Sequence, residues 1–188
     1  MAYPVPNFLP GRRYILSGAF AGVAAALAAP AWAAGEMGKF VRAKTPKPLP
    51  DLSFQDADDK PLSLAEFRGK ALLINFWATW CAPCVKEMPA LDRLQAVFPK
   101  DKFLVLPLSI DGPTKPKVVP FYKDQKLAHL GIYFDKGRKA MQGLDVMLLP
   151  TSILVDPQGR EIGRLEGDAD WDMPEGVALM KAAIASQS

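Results

Sequence analysis

Asn75-Phe76-Trp77-Ala78-Thr79-Trp80-Cys81-Ala82-Pro83-Cys84-Val85-Lys86-Glu87-Met88-Pro89-Ala90-Leu91 is the stretch on which the fold turns. Upstream, Ala71 to Trp77 is an almost unbroken apolar run, which suits a central strand buried on both faces. Downstream, Val85, Met88, Leu91, Leu94 and Val97 recur every three residues and predict one face of a helix ending around Phe98-Pro99. The chain's two cysteines therefore stand where a buried strand hands over to a helix.

That position carries chemistry. Free amides at a helix N-terminus stabilise negative charge and favour thiolate over thiol, and the thiolate is what attacks a disulfide. One turn further on, the second sulfur lies close enough to resolve a mixed disulfide. Pro83 fits the first helical turn, where its missing N–H costs little. The expected cycle has Cys81 attacking a substrate disulfide and Cys84 releasing the reduced product; run in reverse, the pair oxidises. The residues do not fix the direction. As a staple the Cys81–Cys84 loop is too short to constrain the unfolded chain much, so the pair is read as chemistry.

Other uses of the pair fare worse. Structural zinc generally takes four protein ligands, and the chain offers no further cysteine and one histidine, His129, read as a helix-surface residue. Two thiolates suit Cu(I), which keeps a copper chaperone among the alternatives, yet no Met or His near them completes a site. A peroxidase would need an activating arginine beside the cysteine, and none is near. The reading calls for no cofactor and no metal.

Outward from this junction the elements alternate. Leu52, Phe54, Leu62 and Leu64 predict a small hairpin turning at residues 56–60. Ser63-Leu64-Ala65-Glu66 has the spacing of a capping box, hence a short helical turn through Phe67. Phe103 to Ile110 reads as a second buried strand, with Pro107 suggesting an edge, a bulge or an irregular end. Val118, Val119, Phe121, Tyr122 and Leu127 suggest a helix, and Ile132-Tyr133-Phe134 a short extended piece. Thr151 to Val155 and Glu161 to Leu165 form a hairpin around Asp156-Pro157-Gln158-Gly159. Pro174-Glu175 opens a last helix. The order predicts an α/β domain with a mixed sheet.

The N-terminus reads as a targeting segment. Arg12-Arg13 ends a short n-region, Tyr14 to Ala34 is uncharged, and Ala31-Trp32-Ala33 supplies the pattern that signal peptidase cleaves. Arg12-Arg13-Tyr14-Ile15-Leu16 is also similar to a twin-arginine export signal. A retained anchor is the rival, since about 20 apolar residues span a bilayer. Either way the globular part faces an oxidising compartment, on the periplasmic side. Loss of Arg12 and Arg13 with the leader takes the net charge from +3 to about +1, which leaves no basic excess for nucleic acid. The expected organisation is an export signal or membrane anchor over residues 1–34, a proline-rich linker over 35–50 and the α/β domain over 51–188. An N-terminal arm docked on that domain is the alternative for 35–50.

From about Leu52 to Met180 the sequence resembles the thioredoxin superfamily, and within it the TlpA/ResA/CcmG group of membrane-tethered thiol–disulfide proteins. The residues that carry the likeness are the stretch quoted first and Leu149-Pro150-Thr151-Ser152. Gly163-Arg164-Leu165-Glu166-Gly167 with Asp170-Trp171-Asp172 is most similar to the TlpA branch. The resemblance implies a thioredoxin-like fold, with an N-terminal hairpin and a central αβ insertion from about Pro113 to Gln142. It implies a redox-active Cys81–Cys84 disulfide, with Cys81 the nucleophile and Cys84 the resolving cysteine. It makes Pro150 a cis proline that, with Leu149 and Trp80, meets the substrate. It also makes Glu87 an acid/base; read from the residues alone, Glu87 is equally a solvated surface charge.

Asn75 departs from ordinary thioredoxins, which carry a buried aspartate there, so Glu87 becomes the nearest candidate proton acceptor. By the same resemblance, the substrates are oxidised copper-site or haem-site cysteine pairs in respiratory-chain assembly. A membrane electron donor would restore the dithiol. A disulfide oxidase or isomerase of the same fold is the alternative.

Overall fold

The computed structural model describes Met1, residues 39–112 and residues 115–186. In chain order the elements are β1 (Phe40–Pro48), β2 (Ser53–Asp56), β3 (Pro61–Ser63), β4 (Ala71–Trp77), α1 (Ala82–Val97), β5 (Phe103–Ser109), α2 (Lys115–Asp124), β6 (Tyr133–Phe134), α3 (Lys139–Gly143), β7 (Thr151–Val155), β8 (Arg160–Glu166) and α4 (Pro174–Ala185). The leader proposed for residues 1–34 lies outside the described residues apart from Met1. No helix among the described residues is long and apolar enough to cross a membrane.

β4 is the strand from which the sheet is built. All seven of its residues are buried, because it has a strand on each side and packed layers on each face. β5 lies parallel to it, pairing Ala71 with Phe103 through Trp77 with Ser109, and β7 lies antiparallel, pairing Phe76 with Thr151. The full order is β1-β8-β7-β4-β5-β6-β2-β3, with β4, β5 and β6 parallel and the other pairings antiparallel. Parallel neighbours need a crossover, and α1 supplies it between β4 and β5. Leu73, Ile74 and Phe76 of β4 pack in one core with Met88, Leu91 and Leu94 of α1, and with Trp171 and Met180 near the C-terminus. Full burial of each such side chain contributes about 1.5–3 kcal/mol.

The hairpin, the capping box of Ser63 and Glu66, and the β7–β8 hairpin form where the sequence placed them. Three expectations are corrected. Residues 40–48, read as part of a proline-rich linker with a docked arm as the alternative, are docked, and as the regular edge strand β1 and not an irregular arm. It pairs Phe40, Val41 and Arg42 with Leu165, Arg164 and Gly163, then resumes at Lys47 after an irregularity. Pro46 and Pro48 are tolerated because an edge strand has one flank that needs no partner. The sheet thus begins before residue 51.

The buried residues of α1 include Cys84, Glu87, Met88, Leu91, Leu94 and Gln95, while Val97 is exposed. A strict three-residue repeat drifts around a helix of 3.6 residues per turn, so Val85 and Val97 could not share one stripe. Of the options for Pro107, the edge is the one found: it lies inside β5 at a point where β4 flanks the strand but the two-residue β6, facing only Leu108 and Ser109, does not. His129 stands in the bend after α2, exposed, its backbone N–H donating to Asp92 Oδ1 at 2.8 Å.

Candidate active site

β4 ends at Trp77, and four residues later Cys81 becomes the N-cap of α1, with Pro83 in the first turn. Its sulfur is bonded to that of Cys84, the Cα atoms lying 5.3 Å apart. Cys84 is fully buried and Cys81 is 7% exposed, so Cys81 is the more accessible half of the bond. The backbone N–H of Cys84 points at Cys81 Sγ from 3.4 Å. Once the disulfide opens, that amide and the helix N-terminus favour charge on Cys81 rather than on Cys84.

The approach to Cys81 is held by Asp111, which caps the end of β5. One of its oxygens accepts from Thr79 N–H at 2.8 Å and from Ser109 Oγ at 3.0 Å, and the other from Thr79 Oγ1 at 2.8 Å. Nothing in the sequence around Asp111 singles it out. Only the parallel register of β4 and β5, which sets Trp77 beside Ser109, reveals it as the anchor of the loop before the cysteines.

Glu87 is on the buried face of α1, one turn beyond Cys84. Its carboxylate receives three hydrogen bonds. Asn75 Nδ2 donates to Oε1 at 2.8 Å, while Trp171 Nε1 at 3.1 Å and Ala169 N–H at 3.3 Å both donate to Oε2. Asn75 Nδ2 also donates to Ser152 Oγ at 3.0 Å, across the β4–β7 pairing that sets Asn75 opposite Ser152. Loss of hydration pushes the Glu87 carboxyl up from its ordinary 4.5 to about 7, assisted by the nearby Asp168 charge and opposed by the three donors. A carboxyl of this kind can hold or release a proton near neutral pH.

The Leu149–Pro150 peptide bond is cis. Thr151, which follows it, pairs with Phe76, so Pro150 lies at the end of the sheet from which β4 delivers the chain to Cys81. Trp80 is 62% exposed there, and Leu149 is half-buried. Met147 and Leu148, not singled out from the sequence, are exposed beside it at 83% and 57%; the signal was the apolar run Met147-Leu148-Leu149 ahead of a proline. A cavity of about 760 Å³ opens next to Trp80, bordered by Ile110, Gly112, Lys115, Lys136 and Arg138. Among the described residues no cluster of His, Cys, Asp and Glu could hold a metal ion.

Comparisons with known proteins agree with this geometry. The model of the AhpC/TSA family matches residues 46–160. The thiol-disulfide oxidoreductase ResA of Bacillus thuringiensis subsp. konkukian is 34% identical over 122 residues, spanning 65% of this chain and 69% of that protein. ResA of Bacillus subtilis is 29% identical over 118 residues, spanning 63% and 65%. A solved thiol:disulfide interchange protein of the thioredoxin family from Chlorobium tepidum superposes with a TM-score of 0.62 at 26% identity, over 76% of this chain and 99% of that one. With its thioredoxin-like fold and a cysteine pair bonded at the strand–helix junction, the chain belongs to the AhpC/TSA family and is a ResA-like thiol–disulfide oxidoreductase.

Proposed function

We propose that the protein works on the periplasmic face as a dithiol reductant of cysteine pairs in other proteins. Its substrates would be the copper-site or haem-site thiols of respiratory-chain assembly. The leader over residues 1–34 exports it, by a twin-arginine type of signal, and leaves it soluble or tethered. A membrane electron donor restores the dithiol after each turnover.

The observation that carries the direction is Glu87. A strongly oxidising pair is one whose reduced, thiolate form is stabilised. A buried carboxyl one turn from Cys84 does the opposite: when ionised it repels a second negative charge and raises thiol pKa values. That shifts the balance toward the disulfide and makes the dithiol the better electron donor.

The steps balance within the residues named. The Cys81 thiolate attacks a substrate disulfide, forming a mixed disulfide and expelling one substrate sulfur as thiolate. Glu87 takes the proton of the Cys84 thiol. The Cys84 thiolate then attacks Cys81 Sγ, forming the Cys81–Cys84 bond and releasing the second substrate thiolate. Two electrons pass to the substrate, and Glu87 returns its proton to solvent or product. The exposed Trp80, with Leu149 and Pro150, would receive the apolar and backbone parts of the extended substrate segment.

Two measurements test this reading. The Cys81–Cys84 couple should have a reduction potential near or below about −230 mV; a value near about −120 mV would make the protein an oxidant and end the reductant assignment. Cys84→Ser, expressed in the periplasm, should accumulate mixed disulfides with metal-site or haem-site cysteine proteins. Capturing none of these would remove the proposed substrate class.

A further inference from the structure

The hydrogen bonds around Glu87 accommodate only one of its two protonation states. All three of its partners donate to it, which suits a carboxylate and leaves no place for a carboxyl proton to be donated. Oε2 already receives the Trp171 ring N–H and the Ala169 amide, so an added proton falls to Oε1, which faces the Asn75 NH2 group. Two donors would then meet. On that same Asn75 side chain, Oδ1 is buried and has no hydrogen-bond partner. An orphaned acceptor beside an acid that must sometimes donate is an arrangement with a second solution.

We propose that the Asn75 side chain is a two-position amide switch that follows the proton on Glu87. With Glu87 ionised, Nδ2 donates to Glu87 Oε1 and to Ser152 Oγ, as observed. With Glu87 protonated, the amide turns over. Oδ1 then accepts from the Glu87 O–H and from the Ser152 hydroxyl, which rotates from acceptor to donor. Each state keeps two hydrogen bonds on Asn75: the first leaves the buried Oδ1 unpaired, the second the two N–H donors of Nδ2. A fixed aspartate at this position could not do this, since it has no N–H to offer an ionised Glu87. Asn75 and Ser152 are thus positioning residues that let a buried carboxyl take up and give back a proton close to neutrality.

The groups around Glu87 leave the switch to this proton alone. β4 and β7 contribute Asn75 and Ser152, which are uncharged. On α1, Cys81 and Cys84 carry no charge while bonded to each other, and Lys86 is exposed and paired with Asp168 at 2.8 Å. From the segment before α4, Asp168 pushes the Glu87 carboxyl up, and Asp172 is paired with Arg93.

This inference rests on the proposed use of Glu87 as proton holder, but its test does not depend on turnover. In the full-length, oxidised protein, the side-chain amide protons of Asn75 are followed by nitrogen-edited NMR from pH 5 to 9, together with the Glu87 carboxyl carbon. Both amide protons should move upfield as pH falls, with the midpoint of the Glu87 titration, as they lose their acceptors. Glu87→Gln should hold them at the upfield position at every pH. The introduced amide must place its oxygen toward Trp171 and Ala169, and so turns its NH2 toward Asn75. Asn75 amide protons that stay downfield through the wild-type titration would overturn the switch, as would downfield amide protons in Glu87→Gln. Loss of exchange activity in Glu87→Gln with the amide signals unmoved would leave the proton-holding role standing and the switch refuted.

Discussion

Trp171 Nε1 donates to Glu87 Oε2 at 3.1 Å, joining two buried side chains 84 residues apart in sequence. The indole is fully buried and lies just ahead of α4. The segment that closes the domain therefore reaches the carboxyl beneath the cysteine pair. Together with the Ala169 amide it fixes which oxygen of Glu87 is occupied, and leaves the other to Asn75.

Trp171→Phe keeps most of the buried ring and removes that one donor. A hydrogen bond to a charged group contributes about 1.5–3 kcal/mol, and here it favours only the ionised form of Glu87. The Glu87 midpoint should therefore rise from about 7 to a higher value, read from the carboxyl carbon shift of the oxidised protein. A midpoint that stays put would mean that Trp171 acts through packing alone.

Glu87 also leaves a signature in stability. The folded protein keeps a proton on it up to about 7, whereas the unfolded chain releases that proton near 4.5. Between those values the folded state binds more protons, so this group's contribution is full below 4.5 and is lost as pH rises through 7. Glu87→Gln removes that loss. Urea unfolding of the oxidised protein should find the variant close to wild type at pH 4 and more stable at pH 8 by up to roughly 3 kcal/mol. Equal stability of the two at pH 8 would contradict the raised carboxyl.

Trp80 is largely exposed, next in sequence to Cys81, where the proposed function has substrates dock. Trp80→Ala should raise KM for a protein disulfide several-fold while leaving the Cys81–Cys84 reduction potential unchanged, because the lost contact belongs to the complex and not to the couple. A changed potential with unchanged KM would assign Trp80 to the redox centre instead of the docking surface.

Asp111 anchors the loop ahead of Cys81 through Thr79. Asp111→Ala would strand the Thr79 amide, at a cost of about 1–3 kcal/mol for the unsatisfied group. The variant should unfold at lower urea concentration and show a lower kcat with KM little changed, since Cys81 is then less well placed and the binding rim stays intact. A loss of stability with kcat preserved would make Asp111 a purely structural anchor.

The parts of the fold that sequence disclosed were those with local signals. β4 is apolar at every position but Asn75 because both its faces are covered, the turn at 156–159 carries its own proline and glycine, and Cys81 and Cys84 mark the strand–helix junction without help from anything distant. What stayed hidden depended on partners far along the chain. β1 looked like a spacer because its prolines argue against a central strand, and nothing in residues 35–50 announces that β8 offers them an edge. Glu87 was as good a surface charge as a buried acid until Asn75, Ala169 and Trp171 closed around it from β4 and from the segment before α4. Met147 and Leu148 are apolar residues, and nothing in that character announces their exposure.

The least obvious control over the site is Gly176, in the first turn of α4 and outside every hydrogen bond to the cysteines. A Cβ there would run into the backbone carbonyl of Trp171, so Gly176→Ala forces either α4 or the Trp171 segment to shift. Overpacking of this kind costs about 1–3 kcal/mol. Because Trp171 and Ala169 together hold Glu87 Oε2, the shift should weaken both donors and raise the Glu87 midpoint, with slower resolution of the mixed disulfide. Gly112→Ala supplies the control: its new Cβ meets open space, and the Glu87 titration should not move. If Gly176→Ala lowers stability yet leaves the Glu87 midpoint at the wild-type value, strain at α4 is absorbed before it reaches the carboxyl. The C-terminal segment would then be a passive wall of the site and not its adjustable support.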